Sequence, residues 1–350
     1  MKICLLNNLY FPYNRGGAEK VVAKMAADFK SANEQVIIIS TKPPKSELST
    51  QEIPENIYLP SSFYNLNQHS WSWRLAWHFL DIFSCHQAKR LTQIFKQEKP
   101  DLIVSHNLMG LGLMSARVIK KSGAKHHHFL HDIQLLHPSG LMIYGKEKIT
   151  ASCGAKLYQK LTRHLIGSPD LVQSPSEWLL QEHLRRGFFS RSKTEIKRLA
   201  ELAPIADTDL IKKNKPAKQL LFVGQIEEHK GIIFLIKAFQ ELAAPDMTLS
   251  IAGTGSQLSV AKELASSDKR IIFLGLLDKN ELTNNMKEAE VLVVPSLCYE
   301  NSPTVIYEAK AVGLPVIAAN LGGIPEIVTE NDKLFNPGDA TDLFKQLSYM

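Results

Sequence analysis

Glu300 and Glu308, with seven residues between them, flank a helix start that suits an anion. In the stretch from Val291 to Ile327, VLVVPSLCYENSPTVIYEAKAVGLPVIAANLGGIPEI, Ser302 reads as the capping residue and Pro303 as the first helical position. Proline carries no amide hydrogen, so the free donors of the first turn are the N–H groups of Thr304 and Val305, where the helix dipole also favours a phosphate. Thr304 and Glu308 are four apart and share one helix face. Glu308 can then sit beside a bound phosphate and accept from ribose hydroxyls one linkage further along. Glu300 precedes the helix, on the phosphate's other side, where a sugar would hang. The arrangement suits a sugar–diphosphate–nucleoside. Upstream, Lys230-Gly231 opens another helix, and Lys230 would present a cation to a diphosphate.

The elements that must hold these groups are legible around them. VLVVPS is a β-branched run of buried-strand type, and the helix TVIYEAKAV stops at Gly313 with Pro315 beyond it. VIAAN reads as the next strand and LGGIPE as a tight Gly-rich loop. Earlier, QLLFVG, TLSIAGTG and RIIFLGLLD read as strands, ending near Gly253-Thr254-Gly255 and Leu276-Leu277. The first half gives five more strands, KICLLNN, QVIIIST, DLIVSHN ending near His106, HHHFLHD and DLVQS, separated by helical patterns. Residues 43–70, rich in Pro, Ser and Asn, read as loop. The helical stretch after it carries Trp71, Trp73, Trp77, Phe79 and Phe83, a stripe read as core packing, with an acceptor cleft or a lipid interface as the lesser readings. Alternating strands and helices predict an α/β protein of two domains, 1–200 and 201–350, with the linker at about Leu199 to Lys218.

Arg15-Gly16-Gly17 follows the first strand and precedes a helix, so backbone amides there could face an anion, although Gly-Gly before a helix is more often just a turn. The spacing is not G-x-G-x-x-G, so no dinucleotide fingerprint is present. His131-Asp132 falls at a strand's C-terminal end, the place where open α/β sheets bind ligands. The histidines of HHHFLHD lack a nearby carboxylate–histidine set with ligand spacing, and no metal site is expected.

At these residues the chain resembles the retaining GT-B glycosyltransferases with the E-x7-E motif, a family 4-like group also described as glycosyl transferases group 1. The likeness is carried by PS before Glu300, EA after Glu308, G-L-P-V-I, and the loop from Gly322 to Glu326. The resemblance implies two Rossmann-like, doubly wound parallel-sheet domains facing an interdomain cleft. It implies an acceptor-binding first domain and a second domain that binds a nucleotide diphosphate sugar without metal or other cofactor. Glu300, Lys230 and His131 then match the catalytic positions. Gly16, Gly17, Gln225, Thr304, Val305, Glu308, Gly253 and Leu277 match donor-binding positions, and Asp132 and His106 lie on the acceptor side. Three departures stand out: Gln225 occupies a place where an arginine is usual, KTEIKRLAELAPIADTD stands where a strand and an Asn-Gly interdomain loop are usual, and after Gly338 only DATDLFKQLSYM follows, where the family continues with helices that cross back.

Composition sets the class and the partners. With 44% hydrophobic and 22% charged residues the chain is globular rather than disordered. Four scattered cysteines argue against a disulfide framework and for a reducing compartment. No apolar run approaches ~18 residues, so a cytoplasmic protein is expected. The net charge of +6 hides an asymmetry: residues 1–200 hold 27 Lys+Arg against 15 Asp+Glu, whereas the rest holds 14 against 20. A basic first half fits a merely solvated surface at least as well as a saccharide or lipid-linked acceptor with peripheral contact to an anionic inner membrane face. No aromatic-interleaved basic motif points to nucleic acid. The expected activity is a hexosyl transfer in polysaccharide or glycoconjugate synthesis. A degenerate non-catalytic partner subunit, a nucleotide-sugar epimerase and a nicotinamide dehydrogenase are the competing classes, the last disfavoured by the missing fingerprint glycines.

Overall fold

The structure is a computed structural model and describes residues 1–13, 16–44, 55–62, 64, 69–199 and 218–348. The expected linker, apart from Leu199 and Lys218, lies outside the described residues, as do Arg15 and part of the stretch 43–70. Two compact units are present: Met1–Leu141 with Lys148–Arg198, and Met142–Glu147 with Leu199–Met350.

The first unit runs β1 (Lys2–Leu6), α1 (Ala18–Ser31), β2 (Gln35–Lys42), β3 (Asn56–Pro60), α2 (Trp71–Ile82), α3 (Cys85–Glu98), β4 (Leu102–Ser105), α4 (Met114–Ser122), β5 (Lys125–Phe129), α5 (Cys153–Ile166), β6 (Leu171–Ser174), α6 (Glu177–Leu184) and β7 (Lys193–Ile196). Its seven strands form one sheet in the order β3-β2-β1-β4-β5-β6-β7, with parallel pairing throughout. β4, LIVS, is buried along its whole length, as a strand covered on both faces must be. The order reverses between β1 and β4, so the ends of those strands open the switch-point crevice of this sheet.

The second unit runs β8 (Gln219–Val223), α7 (Ile232–Glu241), β9 (Thr248–Ala252), α8 (Leu258–Ala265), β10 (Ile271–Gly275), α9 (Lys279–Glu288), β11 (Val291–Val294), α10 (Thr304–Lys310), β12 (Val316–Ala319), β13 (Lys333–Phe335) and α11 (Ala340–Leu347). The order is β10-β9-β8-β11-β12-β13, again parallel, and its switch point lies between β8 and β11. β11 and β12 are wholly buried, and Ile236, Phe239, Leu249, Ile251 and Ile317 fill the core on which the strand ends rest.

Several expectations need correction. The region read as loop contains β3, and KTEI, passed over as a strand, is β7. β7 is an edge strand with three of its four residues exposed, so no apolar alternation marks it. The aromatic stripe is not simply core. Trp77 is buried, but Phe79 is 62% exposed and Trp73 and Phe83 also face solvent. Met142–Glu147, placed by sequence in the first domain, belongs to the second unit. Ile143 pairs antiparallel with Cys298, Tyr299 N donates to Met142 O (2.8 Å), and the Tyr299 hydroxyl donates to Glu147 (3.0 Å).

Candidate functional site

In the second unit the loops after β8 and β11 meet at the switch point. The Lys230 ammonium donates to Glu300 Oε1 at 2.6 Å, and the Ser296 hydroxyl donates to the same oxygen at 2.9 Å. Cys298 Sγ approaches it at 3.6 Å. Burial pushes the Glu300 carboxyl up, but the Lys230 charge and these hydrogen bonds outweigh burial and hold it below the usual range. Burial likewise pulls Lys230 down, and Glu300 more than restores it, so Lys230 is held above its ordinary value. Both groups are charged at neutral pH. An ammonium has three donors, and its remaining ones are available to an anion because the Lys230 side chain stays 27% exposed.

Glycines make this approach sterically feasible. Gly231 has φ +76°, and a Cβ there would lie 1.8 Å from Pro295 O. The β8 loop therefore rests directly on the end of β11, where Leu297 N donates to His229 O at 2.9 Å. Behind Glu300, Gly322 has φ +64° and would place a Cβ 2.2 Å from Glu300 O. Gly323 N donates to that carbonyl at 2.7 Å. The GGIPE loop is thus a backbone support for Glu300.

The helix start differs in detail from expectation. Pro303, not Ser302, is the N-cap of α10, and the Ser302 hydroxyl bonds Tyr307 OH at 2.9 Å. The register moves by one because Pro303 takes an extended ψ of 119°. Ile306 N donates to Pro303 O, so the amides ahead of it, Thr304 and Val305, still head the helix. Glu308 is half-buried one turn along. Gln225 is exposed at the end of β8, with its carbonyl accepting from Glu227 N. Gly253 bonds Gly275 O through its amide, and a Cβ there would strike Gly224 O. Leu277 is half-buried beyond β10. Sequence reading missed Glu227, whose carboxylate receives both the amide (2.7 Å) and the hydroxyl (2.6 Å) of Ser256 and so ties the Gly253–Gly255 loop to the Lys230 loop. Nothing local marks it, because the two loops are 29 positions apart in sequence.

The first unit gathers His106, His131 and Asp132 at the ends of β4 and β5. His106 Nδ1 and His131 Nε2 share a hydrogen bond of 2.9 Å. Among the described residues the buried His106 Nε2 has no partner. Burial holds His106 well below its usual pKa and pushes His131 down to about 3. Burial pushes the Asp132 carboxyl up to about 6, against a 2.7 Å bond from Gln134 N. These residues line a cavity of about 20 Å³, the size of one water. Asp81, also missed by sequence, accepts Gly110 N on both oxygens (3.1 and 2.9 Å) and is raised by burial to about 7. Gly16 departs from its expected role: its amide is already donated to Glu19 at 3.1 Å. Gly17 is the N-cap of α1.

Behind this group, Ser105 Oγ bridges His126 Nε2 and His128 Nδ1, each at 2.8 Å. Burial depresses five histidines here, with His126 and His183 at about 4. A depressed histidine contributes stability above the unfolded pKa near 6.5 and loses it as pH falls towards the folded value. At pH 5 that loss is about 2 kcal/mol for each of His126 and His183. The raised carboxyls of Asp81 and Asp132 act oppositely, because the folded state keeps their protons as pH falls. Five histidines outweigh two carboxyls, so the first unit is expected to unfold more readily at pH 5 than at pH 7. Urea midpoints at the two pH values check this, and an unchanged or higher midpoint at pH 5 would refute it.

Two parallel-sheet α/β units, with charged and glycine-built loops at a switch point, define a GT-B glycosyltransferase fold. The chain belongs to glycosyltransferase family 4: that family's model matches residues 15–196, and the model described as glycosyl transferases group 1 matches residues 217–350. A Klebsiella pneumoniae relative, described as an uncharacterized 42.6 kDa protein in the cps region, is 27% identical over 93% of this chain and 87% of its own. Among solved structures, a sucrose-phosphate synthase from Thermosynechococcus elongatus superposes with a TM-score of 0.71 at 19% identity, covering 99% of this chain and 89% of its own. Anabaena HepE, solved in complex with UDP and glucose, superposes with a TM-score of 0.69 at 18% identity over 100% of this chain and 89% of its own.

Proposed function

We propose that this protein transfers a hexose from a nucleotide diphosphate sugar, held by the second unit, to a saccharide or lipid-linked acceptor, held by the first, with retention of anomeric configuration. The observation that carries the reading is the Lys230–Glu300 pair at the β8/β11 switch point, beside the start of α10. The UDP and glucose bound by Anabaena HepE, and the cps-region setting of the Klebsiella relative, support a sugar-nucleotide donor and a role in polysaccharide or glycoconjugate synthesis.

In this reading the bond between the sugar's anomeric carbon and the diphosphate oxygen breaks, and the nucleoside diphosphate leaves with the electron pair. Lys230 and the Thr304 and Val305 amides meet the charge that develops, which is electrostatic preorganisation. Glu300 orients the sugar hydroxyls as well as Lys230, and Glu308 accepts from the ribose. Gly253 and Leu277 border the base. The acceptor oxygen attacks the same face of the sugar, and its proton passes to the departing phosphate. His131, neutral and hydrogen-bonded to His106, lies with Asp132 on the acceptor side. The charge is assigned to protein donors, and no metal is required.

Proton NMR of the product tests the stereochemistry, together with release of nucleoside diphosphate with and without chelator. Retained configuration and chelator-insensitive release are expected. An inverted product would overturn the mechanism. The uncharged Gln225, where the resembled family carries an arginine, favours a second reading: a partner subunit that binds the donor without transferring it. Donor binding without turnover on any acceptor would favour it.

A further inference from the structure

The two loops that meet at the switch point of the second unit carry more negative charge than positive. The loop after β8, Gly224 to Gly231, holds Glu227, Glu228 and Lys230, and the loop after β11 adds Glu300. Lys230 is the one lysine or arginine on these two loops, and Glu300 already matches its charge at 2.6 Å. Glu227 is held by the amide and the hydroxyl of Ser256 rather than by a cation, and Glu228 is exposed. A diphosphate brings further negative charge to this place. Like charges at close range disfavour one another, so a bound diphosphate calls for a positive charge beyond the one that Glu300 compensates.

His229 stands on the same loop, between Glu228 and Lys230 in a short 3-10 turn. The backbone of that turn is fixed on every side. Lys230 N donates to Glu227 O (3.0 Å), Gly231 N to Glu228 O (2.9 Å), and the His229 carbonyl accepts from Leu297 N (2.9 Å), three residues before Glu300. The His229 side chain is half-buried, and among the described residues its imidazole makes no hydrogen bond. Burial first, and the Lys230 charge after it, hold the imidazole below its ordinary value, with Glu300, Glu227 and Glu228 acting the other way. In the free protein it is therefore neutral at pH 7.5. An anion placed against Lys230 joins the carboxylates in that balance and favours the charged ring. Of the side chains on the two loops, an imidazole alone has an ordinary titration range near neutrality and so can gain a positive charge there.

We propose that His229 takes up a proton when a nucleotide diphosphate sugar binds the second unit, and that the imidazolium is the second cation of the diphosphate site. The proton comes from solvent and stays on the ring while the anion is bound, and no bond of the ligand changes. This deepens the donor reading and rests on it. The sign of the pH dependence follows. Below the free value of the imidazole the ring is charged with or without ligand, and affinity is highest. Affinity falls as pH rises from the free value to the bound one, and above both it is lowest and constant. The whole change is about tenfold for each unit by which the anion raises the imidazole. A merely solvated histidine would titrate alike with and without nucleotide.

The test is titration calorimetry of the full chain with UDP-glucose, GDP-mannose and ADP-glucose, from about pH 6 to pH 8, in buffers of different ionisation enthalpy. The diphosphate of a sugar nucleotide has no ionisation in this range, so a proton taken up goes to the protein. Wild type is expected to take up about half a proton or more at the maximum of the profile, the amount set by a rise of about one unit or more. His229→Gln keeps a polar side chain without the titrating ring. It should bind without uptake, at every pH about as weakly as wild type does at pH 8. His229→Lys carries a fixed charge and should bind at pH 8 about as tightly as wild type does at pH 6, again without uptake. Circular dichroism checks that both variants fold. Wild type that binds with no uptake at any pH, or an uptake undiminished in His229→Gln, overturns the proposal and leaves the donor reading standing. Folded wild type that binds none of the three defeats the donor reading and the proposal together.

Discussion

Replacing Lys230 by alanine is expected to lower kcat by about a hundred- to a thousandfold, the effect of removing one preorganised donor from a developing oxyanion. The donor's KM should rise much less, because the leaving group gains charge in the transition state beyond what the bound substrate carries. Two further consequences follow from the 2.6 Å bond to Glu300. Without the ammonium, burial acts on the Glu300 carboxyl with only the Ser296 hydrogen bond and the nearby His229 against it, so its pKa rises. The acid limb of the pH–rate profile should therefore move to higher pH in the variant. Stability should fall by only about 1–2 kcal/mol, since both side chains retain some contact with water. Lys230→Arg keeps the charge and should recover part of kcat. Steady-state kinetics against pH check all of this, and an undiminished kcat in Lys230→Ala would refute the role.

The second large effect is structural. Gly231→Ala should destabilise the second unit by about 3–5 kcal/mol, in the range reserved for specific mechanisms. Two causes add. A left-handed backbone at φ +76° costs an alanine about 1–2 kcal/mol. The new methyl would also lie 1.8 Å from Pro295 O and 2.7 Å from its carbonyl carbon. Both are backbone atoms at the end of a buried strand, so the β8 loop must move and the Leu297 N to His229 O bond with it. Gly275→Ala is the internal control. Its φ is also positive, at +74°, but nothing lies within 4 Å of the added carbon, so only the backbone term of about 1–2 kcal/mol applies. Denaturant midpoints of the two variants decide it. Equal losses would show that the contact with β11 is not the constraint.

The two sheets and the punctuation of α10 were readable because local signals agree there: buried β-branched runs, a proline at the helix start and a glycine past its end. The one-residue shift of the cap to Pro303 shows the limit of such signals, since Ser302 is satisfied instead by Tyr307 across a turn. β7 was passed over because it is an edge strand that buries little, and β3 because its buried run NIYLP sits inside a stretch rich in Pro, Ser and Asn. The Lys230–Glu300 pair joins residues 70 apart, and Asp81 reaches Gly110 across 29 positions. Such contacts are set by strand order, which spacing along the chain does not encode. Sequence placed Lys230 facing a diphosphate and Glu300 facing a sugar as separate groups. The structure makes them one charged unit whose members hold each other's protonation state. Membership in glycosyltransferase family 4 was legible from the run between Glu300 and Glu326, and the family model covering residues 15–196 shows it.

The central claim is that the second unit binds a nucleoside diphosphate at Lys230. Thermal shift with UDP, GDP, ADP and their common sugars, on wild type and Lys230→Ala, tests it most directly, because a ligand of the native state raises the midpoint by mass action. The account predicts a shift of the second unit with one nucleotide class, lost in the variant for the free diphosphate and only reduced for its sugar conjugate. Folded wild-type protein that shifts with none of them, or a variant that shifts as fully as wild type, would contradict it.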